Sequence, residues 1–148
     1  MAGAPADPVV VRPVLLDSQH HQFLLVPAGG SRSLWCPPSF EALPGESYRS
    51  AVVRCLRHDR GLPTLDITPV VGLIRPGPDL PPVQYIVLVR EASPPWPDNM
   101  PGLLGPLARW WTLQELKAGS VDVEPGELPI LLEGYWDGWI PDGEITLE

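Results

Sequence analysis

The chain has 148 residues, a formal net charge of −8 and 44% hydrophobic residues, which suits one folded domain and leaves little room for two. No run approaches the ~20 apolar residues of a membrane span, and so acidic a chain lacks the basic surface of a non-specific nucleic-acid binder. Its two cysteines, Cys36 and Cys55, are too few for a disulfide framework, and MAGAPADP has no leader pattern, so the expected compartment is cytoplasmic with both thiols reduced.

Residues 1–8 read as a flexible tail and 9–148 as a single domain. Val9 to Asp17 is β-branched and apolar, which predicts a strand, and Gln22 to Val26 predicts a second. The intervening Asp17-Ser18-Gln19-His20-His21 reads as a solvated turn. Gly29, Gly30 and Ser31 form a loop, and residues 36–46 form another around Pro37, Pro38, Pro44 and Gly45. A helix is expected over Tyr48 to Arg60, with Ser47 as N-cap, Gly61 as the terminating glycine and Pro63 beyond it. Ala51, Val52, Cys55 and Leu56 recur at helical spacing and give it a core-facing stripe. Two further strands are expected at Ile67 to Ile74 and Val83 to Arg90, joined by a loop with Pro76, Pro78, Pro81 and Pro82. A second loop, Ser93 to Pro106, also carries several prolines. Ala108 to Thr112 then suggests a short strand, Leu113 to Ala118 a helical turn, and Glu127 to Trp139 a C-terminal helix. Strands and helices interleave, so the class is α/β or α+β.

The stretch WCPPSFEALPGESYRSAVVRCLRHDRGL, Trp35 to Leu62, resembles the box of the Nudix hydrolase superfamily, G-x5-E-x7-R-E-U-x-E-E-x-G-U with U aliphatic. Glu46, Arg54, Leu56, Gly61 and Leu62 stand at box positions, and ARWWTLQEL, Ala108 to Leu116, is similar to the family's W-x-x-x-E-L segment. The resemblance covers about residues 9–140. It implies a Nudix-type α/β/α sandwich with a mixed sheet, hydrolysis of nucleoside diphosphate-linked substrates, and Mg²⁺ or Mn²⁺ as cofactor. Glu46, Arg54 and Gly61 would then be scaffold, with Glu46 and Arg54 fixing the loop–helix geometry together.

The sequence departs from the box at its chemistry. Phe40 stands at the first glycine, Leu43 where an extra acid is common, and Cys55, His58 and Asp59 at the three metal-binding glutamates. The loop Ser93 to Gly105, from which the family often supplies another carboxylate, offers only Asp98. Magnesium takes hard oxygen ligands in near-octahedral geometry. On an α-helix, positions 55, 58 and 59 would share one face at i, i+3 and i+4. A thiol, an imidazole and one carboxylate do not make a magnesium platform, and Asp59 alone would hold the ion weakly.

Several readings of these residues stay open. Cys55, His58 and Asp59 suit a soft metal such as zinc, with Cys36 nearby, or a Cys–His nucleophile oriented by an acid. They equally suit a small buried thiol beside a surface histidine. Arg49, Arg54, Arg57 and Arg60 against Asp59 give the helix a net charge near +3. Arg49 and Arg57 are therefore candidate phosphate ligands without metal, or solvated residues with ordinary partners. Six tryptophans could stack on a nucleobase or pack the core, with Trp136 and Trp139 anchoring the last helix. Two functions follow. One is a hydrolase of reduced or no activity, with Mg²⁺, Mn²⁺ or no cofactor. The other is a non-catalytic binding or regulatory module for a nucleotide-like ligand or a protein partner.

Overall fold

Strand β1 (Val9–Asp17) carries an unbroken buried run from Val11 to Leu16. Such a run belongs to a strand covered on both faces. Val14 and Leu16 enter one hydrophobic cluster, and Val11 and Leu15 the other. This arrangement is seen in a computed structural model, which describes residues 9–30, 33–75, 83–119, 121–140 and 142–147. The expected tail 1–8 and the proline loop 76–82 lie outside the described residues.

The sheet is mixed. β1 runs parallel to β6 (Val83–Glu91), in register from Val9 opposite Val83 to Leu16 opposite Arg90. On its other side β1 pairs antiparallel with β2 (Gln22–Pro27). β3 (Leu34–Cys36) pairs with β2, and β4 (Phe40–Glu41) pairs with the start of β1. β5 (Leu65–Ile74) lies antiparallel to β6. β7 (Arg109–Thr112) pairs with β2, β8 (Asp122–Val123) with β3, and β9 (Gly143–Thr146) with β5.

Helices cover both faces. On one, α1 (Tyr48–Val53), its continuation and α2 (Met100–Leu104) supply Ala51, Val52, Leu56, Met100 and Leu104 against Leu15, Leu24, Val87 and Val89. On the other, α3 (Leu113–Lys117) and α4 (Leu128–Asp137) supply Leu116, Leu128, Leu131 and Leu132 against Val14, Phe23, Ile86 and Leu88. Each fully buried leucine contributes about 1.5–3 kcal/mol relative to exposure. The result is the α/β/α sandwich that the resemblance implies. No helix of the described residues is long and apolar enough to cross a membrane.

Two details fix loops to this frame. The buried Trp96 indole donates to the Leu16 carbonyl at 2.8 Å, tying the loop after β6 to β1. α4 ends at Gly138, whose φ of 77° is the left-handed turn glycine favours. The chain then doubles back, so that Trp139 and Ile140 donate to the Gly134 carbonyl at 3.1 and 3.4 Å.

The sequence reading needs four corrections here. The expected helix Tyr48 to Arg60 is α-helical only to Val53 and then widens. α2 interrupts the segment read as loop, because a proline is tolerated in a first helical turn. The short strands β3, β4, β8 and β9 were not expected; each is held by its neighbour rather than by its own pattern. Trp139 does not anchor the last helix, since it is 59% exposed; Trp136 does, against Phe23.

Candidate functional site

The loop before α1 is shaped by Gly45, at φ 77°, and by Glu46. The Glu46 carboxylate accepts from the Leu43 backbone N–H at 2.9 Å. The Ser47 hydroxyl caps the helix by accepting from Ser50 N–H at 3.1 Å. Eight residues after Glu46, Arg54 reaches back with two prongs, Nε to Oε2 at 2.9 Å and Nη2 to Oε1 at 3.0 Å. Nη2 also donates to the Glu41 carbonyl at 3.1 Å, and Nη1 to Asp59 at 3.4 Å. Glu46 and Arg54 therefore lie together, as the box spacing predicts. The Arg54 guanidinium, with help from the Leu43 N–H, holds the Glu46 carboxyl below the usual glutamate range; the carboxylate in turn holds Arg54 above the usual arginine value. Gly61 closes the segment at φ 75°, where a side chain would be strained.

Between these ends the helix widens. The Asp59 N–H bonds to the Arg54 carbonyl at 3.1 Å, an i to i+5 closure spanning the turn Arg54–His58. The extra residue in that turn breaks the i, i+3, i+4 arithmetic for positions 55, 58 and 59. Cys55 turns into the core and is 3% exposed, whereas His58 and Asp59 face solvent. Burial pushes the Cys55 thiol above its ordinary value, the opposite of what an activated nucleophile requires. Cys36 is also buried, on β3, and burial likewise raises it, partly offset by the nearby Arg12. Among the described residues no group of three or more His, Cys, Asp or Glu side chains is placed to hold a metal ion.

Beside the end of this turn lies a cleft of about 360 Å³. Val26 and Pro27 from the end of β2, Phe40 from β4, Leu104 at the end of α2 and Gly105 to Ala108 after it line the cleft, together with Arg60. The Arg60 guanidinium sits 5.1 Å from the centre of the Phe40 ring and reaches toward the Leu103 carbonyl at 3.5 Å. Thus Phe40 of β4 and Arg60, just past the helix end, meet in the cleft. Among the described residues no carboxylate lines it, and Asp98 does not enter it. Arg60 takes an aromatic face rather than Asp59 as its neighbour, and Asp59 pairs with Arg54. Arg57 is exposed; Arg49 lies 5.6 Å over the Tyr48 ring. That Val26, Pro27 and the 104–108 segment line a cleft carried no sequence signal, because only the tertiary fold brings them to the helix end.

The remaining candidates sit elsewhere. His20 pairs with Asp17 at 2.8 Å, and His21 stacks on Trp136 at 5.3 Å. Trp35 and Trp111 meet edge to face within the core at 4.9 Å, so these rings pack the protein and do not offer a base platform.

No protein-family model and no curated protein sequence matches the chain. Solved structures do match. A UDP-X diphosphatase structure is similar with a TM-score of 0.62 at 11% identity, covering 97% of this chain and 70% of that one. The Nudix hydrolase from Nitrosomonas europaea is similar with a TM-score of 0.59 at 17% identity, covering 93% of each chain. The C. elegans Ap4A hydrolase is similar with a TM-score of 0.59 at 16% identity, covering 90% of this chain and 98% of that one. The chain has the Nudix fold. At these identities the likeness shows the fold alone, and the site has to be read from the residues present.

Proposed function

We propose that this Nudix-fold chain binds a nucleotide-like anion in the Phe40–Arg60 cleft without a divalent metal, and that diphosphate hydrolysis is weak or absent. One observation carries the reading: among the described residues the charged group lining the cleft is the Arg60 guanidinium, held over Phe40. Mg²⁺ or Mn²⁺ does not fit these residues. The donors at the three box positions are a buried thiol, an exposed imidazole and one carboxylate engaged by Arg54. A hard divalent ion needs several oxygens converging on one point. A guanidinium supplies a fixed cation and forked donors for a phosphoryl group instead. A concave site with largely apolar walls and one charged anchor suits a small ligand better than a flat protein partner. Among the described residues the cleft is lined by a guanidinium and no carboxylate, a set that suits holding an anion rather than taking a proton from water.

The test is calorimetric titration with AMP and ADP-ribose, in EDTA and then with Mn²⁺, paired with a hydrolysis assay. Binding should persist in EDTA. Arg60→Ala should weaken it about 10–100-fold, because a charge-assisted hydrogen bond is worth ~1.5–3 kcal/mol. Metal-dependent turnover near the ~10 s⁻¹ enzyme median, or binding that needs Mn²⁺, would overturn the reading.

A further inference from the structure

We propose that a second groove, on the outer side of α1, binds a phosphate group. It has a volume of about 300 Å³ and is lined by Arg49, Ser50, Val53, Arg54 and His58. It shares no lining residue with the Phe40–Arg60 cleft. Its donors are held in place before any ligand arrives. Arg54 is locked by its two bonds to Glu46. Arg49 rests over Tyr48, whose ring stacks on Tyr85 at 5.1 Å and 18°. The Ser50 hydroxyl accepts from Ser47 at 3.0 Å, which leaves its own proton to donate.

Charge decides the class of ligand. The acids near the groove, Glu46 and Asp59, are both turned toward Arg54 and partly neutralise it. Among the described residues Arg49 has no acidic partner, so its charge is uncompensated. Such a concentration of arginine in a chain of net charge −8 is the opposite of what solubility alone would select, and it focuses anions on this helix. The Arg49 guanidinium, the Ser50 hydroxyl and the His58 imidazole form a donor set that matches a tetrahedral oxyanion, while Arg54, its N–H groups largely taken by Glu46, Asp59 and the Glu41 carbonyl, adds charge behind them. The phosphate is either free orthophosphate or the phosphoryl end of a nucleotide.

Inorganic phosphate is titrated into the ¹⁵N-labelled full-length chain at constant ionic strength, with chloride as the balancing anion, and amide shifts are followed. Saturable shifts are expected at residues 49–58. Arg49→Ala should weaken phosphate about tenfold or more, Arg49→Lys by less because the fork is lost but the charge kept, and Arg60→Ala should leave it unchanged. Repeating the titration with AMP separates the two sources. Weakening by both Arg49→Ala and Arg60→Ala identifies the phosphoryl end of the cleft ligand, and weakening by Arg60→Ala alone identifies free phosphate. If only the cleft reading fails, Arg60→Ala leaves AMP binding unchanged while the phosphate response of residues 49–58 remains. No saturable shift at these residues, an equal response to chloride, or an Arg49→Ala variant that binds phosphate like wild type overturns the groove.

Discussion

Replacing Gly134 with alanine sets two effects against each other. In a helix interior alanine is favoured over glycine by about 1 kcal/mol. Here, however, the added Cβ would overlap Ile140 Cγ1, come within 2.5 Å of Ile140 Cδ1 and within 2.9 Å of Trp139 Cζ2. Trp139 is exposed and can swing away. Ile140 cannot retreat as easily, because its own N–H and that of Trp139 are bonded to the Gly134 carbonyl. Overpacking of this kind costs about 1–3 kcal/mol, so the clash wins and Gly134→Ala should destabilise by a net ~1 kcal/mol. In an Ile140→Ala background the obstacle is gone, and the same change should be neutral or stabilising by up to ~1 kcal/mol. The coupling in that double-mutant cycle is then about 1–2 kcal/mol. Urea unfolding of the four proteins measures it directly. A Gly134→Ala protein as stable as wild type, or the same effect in both backgrounds, refutes the reasoning.

Two further outcomes follow from the helix end. Cys55→Glu combined with His58→Glu should not create a metal site: the wider turn separates these positions, and a carboxylate at 55 would be buried. The double variant should melt lower than wild type, and a larger Mn²⁺-dependent rise in Tm than wild type shows would mean that 55, 58 and 59 share one face after all. Glu46 is held below its ordinary pKa by Arg54, so its contribution is full above the unfolded value near ~4.3 and is lost as pH falls through the lower folded value. Glu46→Gln should therefore be less stable than wild type at neutral pH and converge with it in acid, as read by melts across pH; a constant gap would contradict this.

What the sequence made legible was local. The Gly45-Glu46-Ser47 entry, the arginine eight residues on and the closing Gly61 are short-range devices, and each appears where it was read. The apolar runs of β1 and β6 also declared themselves, because strands covered on both faces are built mainly of apolar residues, with Arg12 and Glu91 the buried charges among them. The widened turn at Arg54–His58 was hidden, since no residue type announces an i to i+5 bond. α2 was masked by Pro101 and Gly102, and β8 and β9 are too short to show alternation. The Phe40–Arg60 contact joins a strand to the far end of a helix, so the identity of each residue was visible but their meeting was not.

The parallel pairing of β1 with β6 has a consequence for how the chain is made. The central strand of the sheet, Val9–Asp17, finds its longest partner only when Val83–Glu91 has been synthesised. At ~5–20 residues per second, several seconds separate the synthesis of that hydrophobic strand from that of its longest partner. Long-range parallel pairing is slow to close even in a finished chain. The ribosome-bound protein thus carries an open apolar edge for longer than its final architecture would suggest, and that interval is when a chaperone would find it.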